Sequence, residues 1–100
     1  MTKEVQDIAL DHSNDLHCVI GFGSFFHGNH LFKDIDILFV GISNDNFKLY
    51  KTLKKRISKL SAKFGISFDF NFLTKQEFSE NLYLDIINNT HTMIYTNESD

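Results

Sequence analysis

Two aspartates stand two residues apart at the start of an apolar segment, in the run Asp34-Ile-Asp36-Ile-Leu-Phe-Val. Because side chains alternate along a β-strand, both carboxylates project from one face while Ile35 and Ile37 point to the other. Like charges so close repel each other unless a cation lies between them. Carboxylate oxygens suit Mg²⁺, which leaves its other positions to water and substrate phosphates. The spacing indicates a divalent-cation site, with a solvated strand entrance as the alternative.

A Gly-Ser pair, Gly23-Ser24, precedes the aspartates, with nine residues between Ser24 and Asp34. Glycine lets the backbone approach a phosphate without a Cβ clash, and Ser24 adds a hydroxyl donor at a predicted helix start. A Gly-Ser pair alone is weak, because most such pairs are turns. Followed by Asp-Ile-Asp and bracketed by two apolar strands, it predicts a phosphate-binding turn beside a cation site.

A third carboxylate, Asp69, lies in a segment of strict alternation, Ile-Ser-Phe-Asp-Phe-Asn-Phe, at residues 66–72. The alternation predicts a strand with its aromatic side chains on one face and Ser67, Asp69 and Asn71 on the other. Asp69 is therefore predicted to lie on a polar strand face, as Asp34 and Asp36 do.

The elements that must position these residues follow from periodicity, in the order α-β-loop-β-α-β-α-β. The first helix is predicted over residues 3–14, and strands are predicted over residues 17–22, 35–41 and 66–72, with a short last strand at 93–95. The clearest element is the second helix, whose apolar residues step by three and four: Tyr50, Leu53, Ile57, Leu60 and Phe64. We expect an α+β fold, a small mixed sheet with helices packed on one face.

Local signals mark the ends of these elements. Asn44 and Asp45 are candidate caps for the second helix, and Gly65 stands where a helix C-terminus favours glycine. Thr74 with Glu77 forms a capping box that opens a third helix. The predicted inward residues of that helix are Phe78, Leu82 and Ile86.

The segment resembles the signature of the DNA polymerase β-like nucleotidyltransferase superfamily: a strand, Gly-Ser, a short spacer, then two aspartates around an apolar residue and a second strand. Gly23, Ser24, Asp34 and Asp36 match this signature residue by residue. Asp69 stands where the family carries its third carboxylate, on a later strand in an apolar context. The resemblance implies a polymerase β palm-like fold. The length of 100 residues and the absence of linkers or repeats predict a single domain, residues 1–100.

The resemblance also implies an activity, the magnesium-dependent transfer of a nucleoside monophosphate, AMP from ATP being favoured, to a hydroxyl acceptor. Asp34 and Asp36 would hold two Mg²⁺ ions, or Mn²⁺ in their place, and Asp69 would complete the catalytic site. Gly23 and Ser24 would bind the β- and γ-phosphates.

The chain is most similar to minimal, stand-alone nucleotidyltransferases, which are often paired with a helical protein of the HEPN class in toxin-antitoxin systems. That similarity implies a helical partner, or a second copy of the chain, that presents the acceptor. Two other functions stay open: an antitoxin-like protein-binding module with weak or lost catalysis, and a nucleic-acid-binding accessory domain.

Charge is unevenly distributed along the chain. Seven of the ten basic residues lie between Asn46 and Phe64 with no acid among them, whereas the rest carries three basic and thirteen acidic residues. This split indicates either a phosphate-facing surface or one basic helix on an acidic protein. No aromatic residue is expected to interleave with the basic face, so nucleic acid is not the expected partner.

Composition excludes several classes. An apolar share of 42% with 23% charged residues is typical of a folded globular domain. The single cysteine, Cys18, cannot form an internal disulfide and is expected to be a buried thiol in a reducing compartment. No signal peptide or apolar run of membrane-spanning length is present, so we expect a cytoplasmic protein without membrane contact. The five histidines match no zinc pattern and are expected on surface loops.

Overall fold

The computed structural model describes residues 2–22, 34–43, 47–79 and 91–97. Within these ranges the chain forms seven elements: α1 (Thr2–Asp11), β1 (Leu16–Phe22), β2 (Asp34–Gly41), α2 (Phe47–Phe64), β3 (Ser67–Thr74), α3 (Lys75–Ser79) and β4 (His91–Thr96). The predicted α+β class and element order are confirmed. The first helix is shorter than predicted, because the chain turns after Asp11, where the amide of His12 donates to the carbonyl of Ala9 at 3.1 Å.

The four strands form one mixed sheet in the order β3-β2-β1-β4. β1 pairs antiparallel with β2 on one side and with β4 on the other, while β2 pairs in parallel with β3. Parallel neighbours need a crossover connection, and α2 supplies it between β2 and β3. The register of β2 against β3 is continuous over eight residue pairs, from Asp34 opposite Ser67 to Gly41 opposite Thr74.

The main core lies between one face of the sheet and helices α1 and α2. Its buried residues come from both helices and from three strands: Val5, Ile8, Ala9, Leu16, Val19, Ile35, Ile37, Phe39, Leu53, Ile57, Leu60 and Ile94. The aromatic face of β3 packs against this cluster as predicted, and the ring centroids of Phe39 and Phe70 are 5.4 Å apart. Burial of the alternate residues of β2 therefore sets which face its aspartates occupy.

The opposite face of the sheet carries a second buried cluster, formed by Cys18, Ile20, Leu38, Val40 and Leu73. Cys18 is 1% exposed, as the sequence predicts. Phe78 of α3 packs against this second cluster, so the prediction of helices on one face is correct for α1 and α2 but wrong for α3. The reason is that α3 begins directly after β3, whose last buried side chain, Leu73, points to the second face.

The structure also shows the predicted C-terminus of α2 and the predicted N-terminus of α3. Gly65 has a φ of +65°, the left-handed conformation that ends a helix at low cost only in glycine. The amide of Thr74 donates to Glu77 Oε1 at 3.0 Å and the amide of Glu77 donates to Thr74 Oγ1 at 3.1 Å, which confirms the capping box. Phe64, in the last turn of α2, is 37% exposed, so the apolar stripe of this helix is closed only as far as Leu60.

Several sequence predictions fall on residues outside the described ranges. They are the phosphate-binding turn at residues 23–33, the cap candidates Asn44 and Asp45, and the inward residues Leu82 and Ile86.

Candidate functional site

Asp36 and Asp69 lie directly opposite each other on the two parallel strands of the sheet, as Cα partners in the β2–β3 register. Residues in register on neighbouring strands share a face, and neighbouring strands lie roughly 4.8 Å apart. The two carboxylates, 33 positions apart in the sequence, are thus brought onto one sheet face and into adjacent strands.

This face is opposite to the one covered by α1 and α2, because Ile35 and Ile37 on either side of Asp36 are fully buried in the main core. Asp36 is partly exposed and Asp69 is exposed, whereas Leu38, the next residue on the same face, is 1% exposed. The carboxylate pair therefore stands at the N-terminal ends of β2 and β3, where the apolar cluster of the second face gives way to solvent.

The backbone of Asp34 is the first of β2, opposite Ser67 and two residues before Asp36. The side chain of Asp34 and the whole of Gly23 and Ser24 lie outside what the structure describes.

The donor chemistry of the described pair fits a hard divalent cation. Mg²⁺ is typically bound by one or two carboxylates and keeps its remaining positions for water and phosphate oxygens. Asp36 and Asp69 provide two carboxylates on adjacent strands, and their exposure leaves room for such ligands. Among the side chains that the structure describes, no group of three or more His, Cys, Asp or Glu residues converges on a cation position.

Asn71 is a neighbour of the pair that the sequence placed on the polar face of β3 without a role. Its Nδ2 donates to the carbonyl oxygen of Asp69 at 3.3 Å and to that of Ile37, on β2, at 3.5 Å. These contacts join the backbones of the two strands next to the carboxylates. Asn71 therefore supports the backbone of the two strands beside the carboxylates.

Two histidines lie in strands. His17 belongs to β1, in the strand that the sequence predicts, and its ring centroid is 6.5 Å from that of Phe78. His91 begins β4 and is the Cα partner of Phe22, which is in turn the partner of Asp36. The sequence missed the position of His91 because the apolar signal of β4 begins only at Met93.

The basic helix differs from its sequence-based interpretation as well. Lys51 Nζ lies 4.8 Å from the ring centroid of Phe47, and Lys54 Nζ lies 5.7 Å from that of Tyr50. Aromatic rings therefore interleave with the lysines of α2, which the division of the helix into an apolar and a basic face did not predict.

None of the helices in the described part of the chain has the length and apolar character needed to cross a membrane. Comparison of the chain with protein-family models, with curated proteins and with solved structures finds no match.

Proposed function

We propose that this chain is a metal-dependent nucleotidyltransferase domain, which transfers a nucleoside monophosphate, AMP from ATP, to a hydroxyl acceptor. The observation that carries the proposal is the register of β2 with β3, which sets Asp36 opposite Asp69 with Asp34 two residues away. The sequence signature named three carboxylates and a Gly-Ser turn, and the parallel register supports the pairing that the signature needs.

The energetics of the pair favour a ligand over a purely structural role. Like charges directly opposite each other on neighbouring strands destabilise a sheet. A threonine or asparagine at either position could form the same strand without that repulsion. A cation bound between the two carboxylates would instead attract both of them. We therefore propose that the facing carboxylates of Asp36 and Asp69 form a cation site.

In the proposed reaction Asp34 and Asp36 hold the divalent cations and Asp69 completes the set, while Gly23 and Ser24 bind the β- and γ-phosphates. When bound, the ions neutralise the triphosphate and the leaving pyrophosphate. The acceptor oxygen forms a bond to the α-phosphorus of ATP, and the bond from that phosphorus to its bridging oxygen breaks. Pyrophosphate leaves with the electron pair, and the acceptor proton passes to Asp69 and then to water.

The acceptor is proposed to come from another molecule. The described elements form a single sheet with its helices, and the carboxylates stand on a partly exposed face. Because positioning accounts for a large share of phosphoryl-transfer catalysis, a wall that orients the base and the acceptor hydroxyl is needed. We propose that a helical partner of the HEPN class, or a second copy of this chain, supplies that wall and a Tyr, Ser or Thr hydroxyl.

The test is to incubate the chain with Mg²⁺ and ATP labelled at the α-phosphate, with and without the protein encoded beside it. Label should appear on the acceptor, and a parallel reaction with γ-labelled ATP should leave it unlabelled. Asp36→Asn and Asp69→Asn should each abolish transfer, whereas Asp7→Asn, the same change on an exposed residue of α1, should not.

Two results would contradict the proposal. Transfer of the γ-label would identify a kinase. Tight binding of the partner with no transfer, unchanged in Asp36→Asn, would identify an antitoxin-like binding module instead.

A further inference from the structure

The N-terminal half of α2 carries an exposed groove in which aromatic and basic side chains alternate. The groove, here called the α2 groove, is lined by Phe47, Tyr50, Lys51, Lys54, Lys55 and Ser58. Phe47 is 67% exposed, and the three lysines are exposed as well. The ring of Phe47 therefore contributes little to the fold and is accessible to a ligand.

The two rings of the α2 groove are held differently. Tyr50 rests against the edge strand β3, with its ring centroid 5.7 Å from that of Phe70 and 5.9 Å from that of Phe72. Phe47, one turn earlier, touches the ammonium of Lys51 and is otherwise open to solvent. One fixed ring and one accessible ring thus stand side by side on the helix.

The two halves of α2 differ in the charges that the structure describes around them. Arg56 Nη1 donates to Asp11 Oδ2 at 2.8 Å, and Lys59 and Lys63 line a second groove together with Glu4 and Asp7 of α1. Among the described residues that line the α2 groove, none is acidic. Three exposed ammonium groups therefore lie beside the two rings.

We propose that the α2 groove binds single-stranded nucleic acid. Each ring has an ammonium four residues further on, in the pairs Phe47 with Lys51 and Tyr50 with Lys54, and the second pair is displaced from the first by three residues. The exposed ring of Phe47 offers a face on which a base can stack, and the exposed lysines of the groove can bind the adjoining phosphates.

A single strand fits better than the alternatives. Stacking on Phe47 requires an accessible base face, which a duplex does not offer. An acidic peptide would use the lysines but would gain nothing specific from an exposed ring between them.

The surface is separate from the carboxylate site. It follows the C-terminal end of β2 on the outside of the helix-covered face, whereas Asp36 lies at the N-terminal end of β2 on the opposite face. Nucleic-acid binding by the α2 groove therefore does not depend on the proposed transferase activity.

The experiment measures fluorescence anisotropy of end-labelled oligo(dT) and oligo(U), each about 12 nucleotides long, against the full chain at salt from roughly 50 to 200 mM. Three phosphate contacts predict a log–log salt slope of about −2. Phe47→Ala should weaken binding roughly tenfold or more with the slope unchanged. Lys54→Gln should make the slope shallower by about 0.7.

Matched controls lie in the other half of α2. Phe64→Ala removes another exposed ring near a lysine, since Lys63 Nζ lies 5.4 Å from the centroid of Phe64. Lys59→Gln removes a cation from the second groove, which Lys59 lines together with Glu4 and Asp7. Both variants should bind as the parent does. Circular dichroism establishes that every variant is folded.

Three results would overturn the proposal: no binding at the lowest salt, equal affinity of Phe47→Ala and the parent, or a duplex bound as tightly as the single strand. A poly-glutamate peptide bound more tightly than the oligonucleotides, with no loss in Phe47→Ala, would assign the groove to an acidic protein.

Discussion

The two faces of the sheet receive opposite side chains from the same strand. Towards α1 and α2, β2 directs Ile35, Ile37 and Phe39, each fully buried. Towards the other face it directs Asp36 and then Leu38, so that face begins with a charge and becomes apolar only two residues later. Strand alternation thus separates, by a single residue, the side chains that form the main core from the carboxylate that we propose as a cation ligand.

The largest effect on stability is expected from truncating a core side chain on the helix-covered face of the sheet. Phe39 is 0% exposed and its ring meets that of Phe70, so Phe39→Ala should lower the free energy of unfolding by about 3–5 kcal/mol. Urea denaturation monitored by circular dichroism measures the loss. Phe47→Ala, which truncates a ring of the same kind at an exposed site, should change stability by less than about 0.5 kcal/mol. Equal losses in the two variants would show that the core is not where we place it.

The next test changes the connection that sets the β2–β3 register. Gly65 ends α2 with a φ of +65°, and a Cβ there would meet no atom within 4 Å. Gly65→Ala should therefore destabilise the fold by about 1 kcal/mol through backbone strain alone. Gly65→Asn should recover part of this loss, because asparagine tolerates the left-handed conformation. A gain in stability for Gly65→Ala would contradict the observed turn.

A smaller effect of opposite sign is expected on the carboxylate face. Without divalent cations, Asp69→Asn should raise the free energy of unfolding by about 0.2–1 kcal/mol, because it removes the repulsion between like charges on neighbouring strands. Mg²⁺ should then stabilise the parent and not the variant, so the difference in their free energies of unfolding should become smaller or change sign. Thermal unfolding with EDTA and with Mg²⁺ measures both states. Destabilisation by Asp69→Asn in EDTA would mean that this carboxylate supports the fold.

The smallest effect concerns the surface ion pair between the helices. The side chains of Arg56 and Asp11 are 35% and 61% exposed, so water and salt screen their attraction. Arg56→Gln should cost less than about 0.5 kcal/mol, and less still at high salt. A loss of more than about 1 kcal/mol would contradict the expectation that solvent weakens this exposed ion pair.

The fold was largely predictable from the sequence, whereas the site was predictable only in part. The alternation of side chains predicts β3, and the three- and four-residue spacing of apolar residues predicts α2. Gly65 predicts the end of α2, and Thr74 with Glu77 predicts the start of α3. Alternation also gave the faces of Asp36 and Asp69. It could not give their register, because the pairing of distant strands depends on the length of α2 and on the turn at Gly65.

Two features were missed for physical reasons. The helix was divided into an apolar and a basic face, which hid the contacts of Phe47 and Tyr50 with lysines four residues later. The chain from β3 into α3 was expected to stay on the helix-covered face, whereas Leu73 and Phe78 pack against the second cluster.

We propose that Asp36 and Asp69 share a divalent cation that carries a nucleotide, and calorimetric titration with ATP and Mg²⁺ measures that binding. The parent chain and Asp7→Asn should bind ATP only when Mg²⁺ is present. Asp36→Asn and Asp69→Asn should each lose that binding while remaining folded. Equal affinity for Mg²⁺ and ATP in Asp36→Asn and the parent would contradict the account.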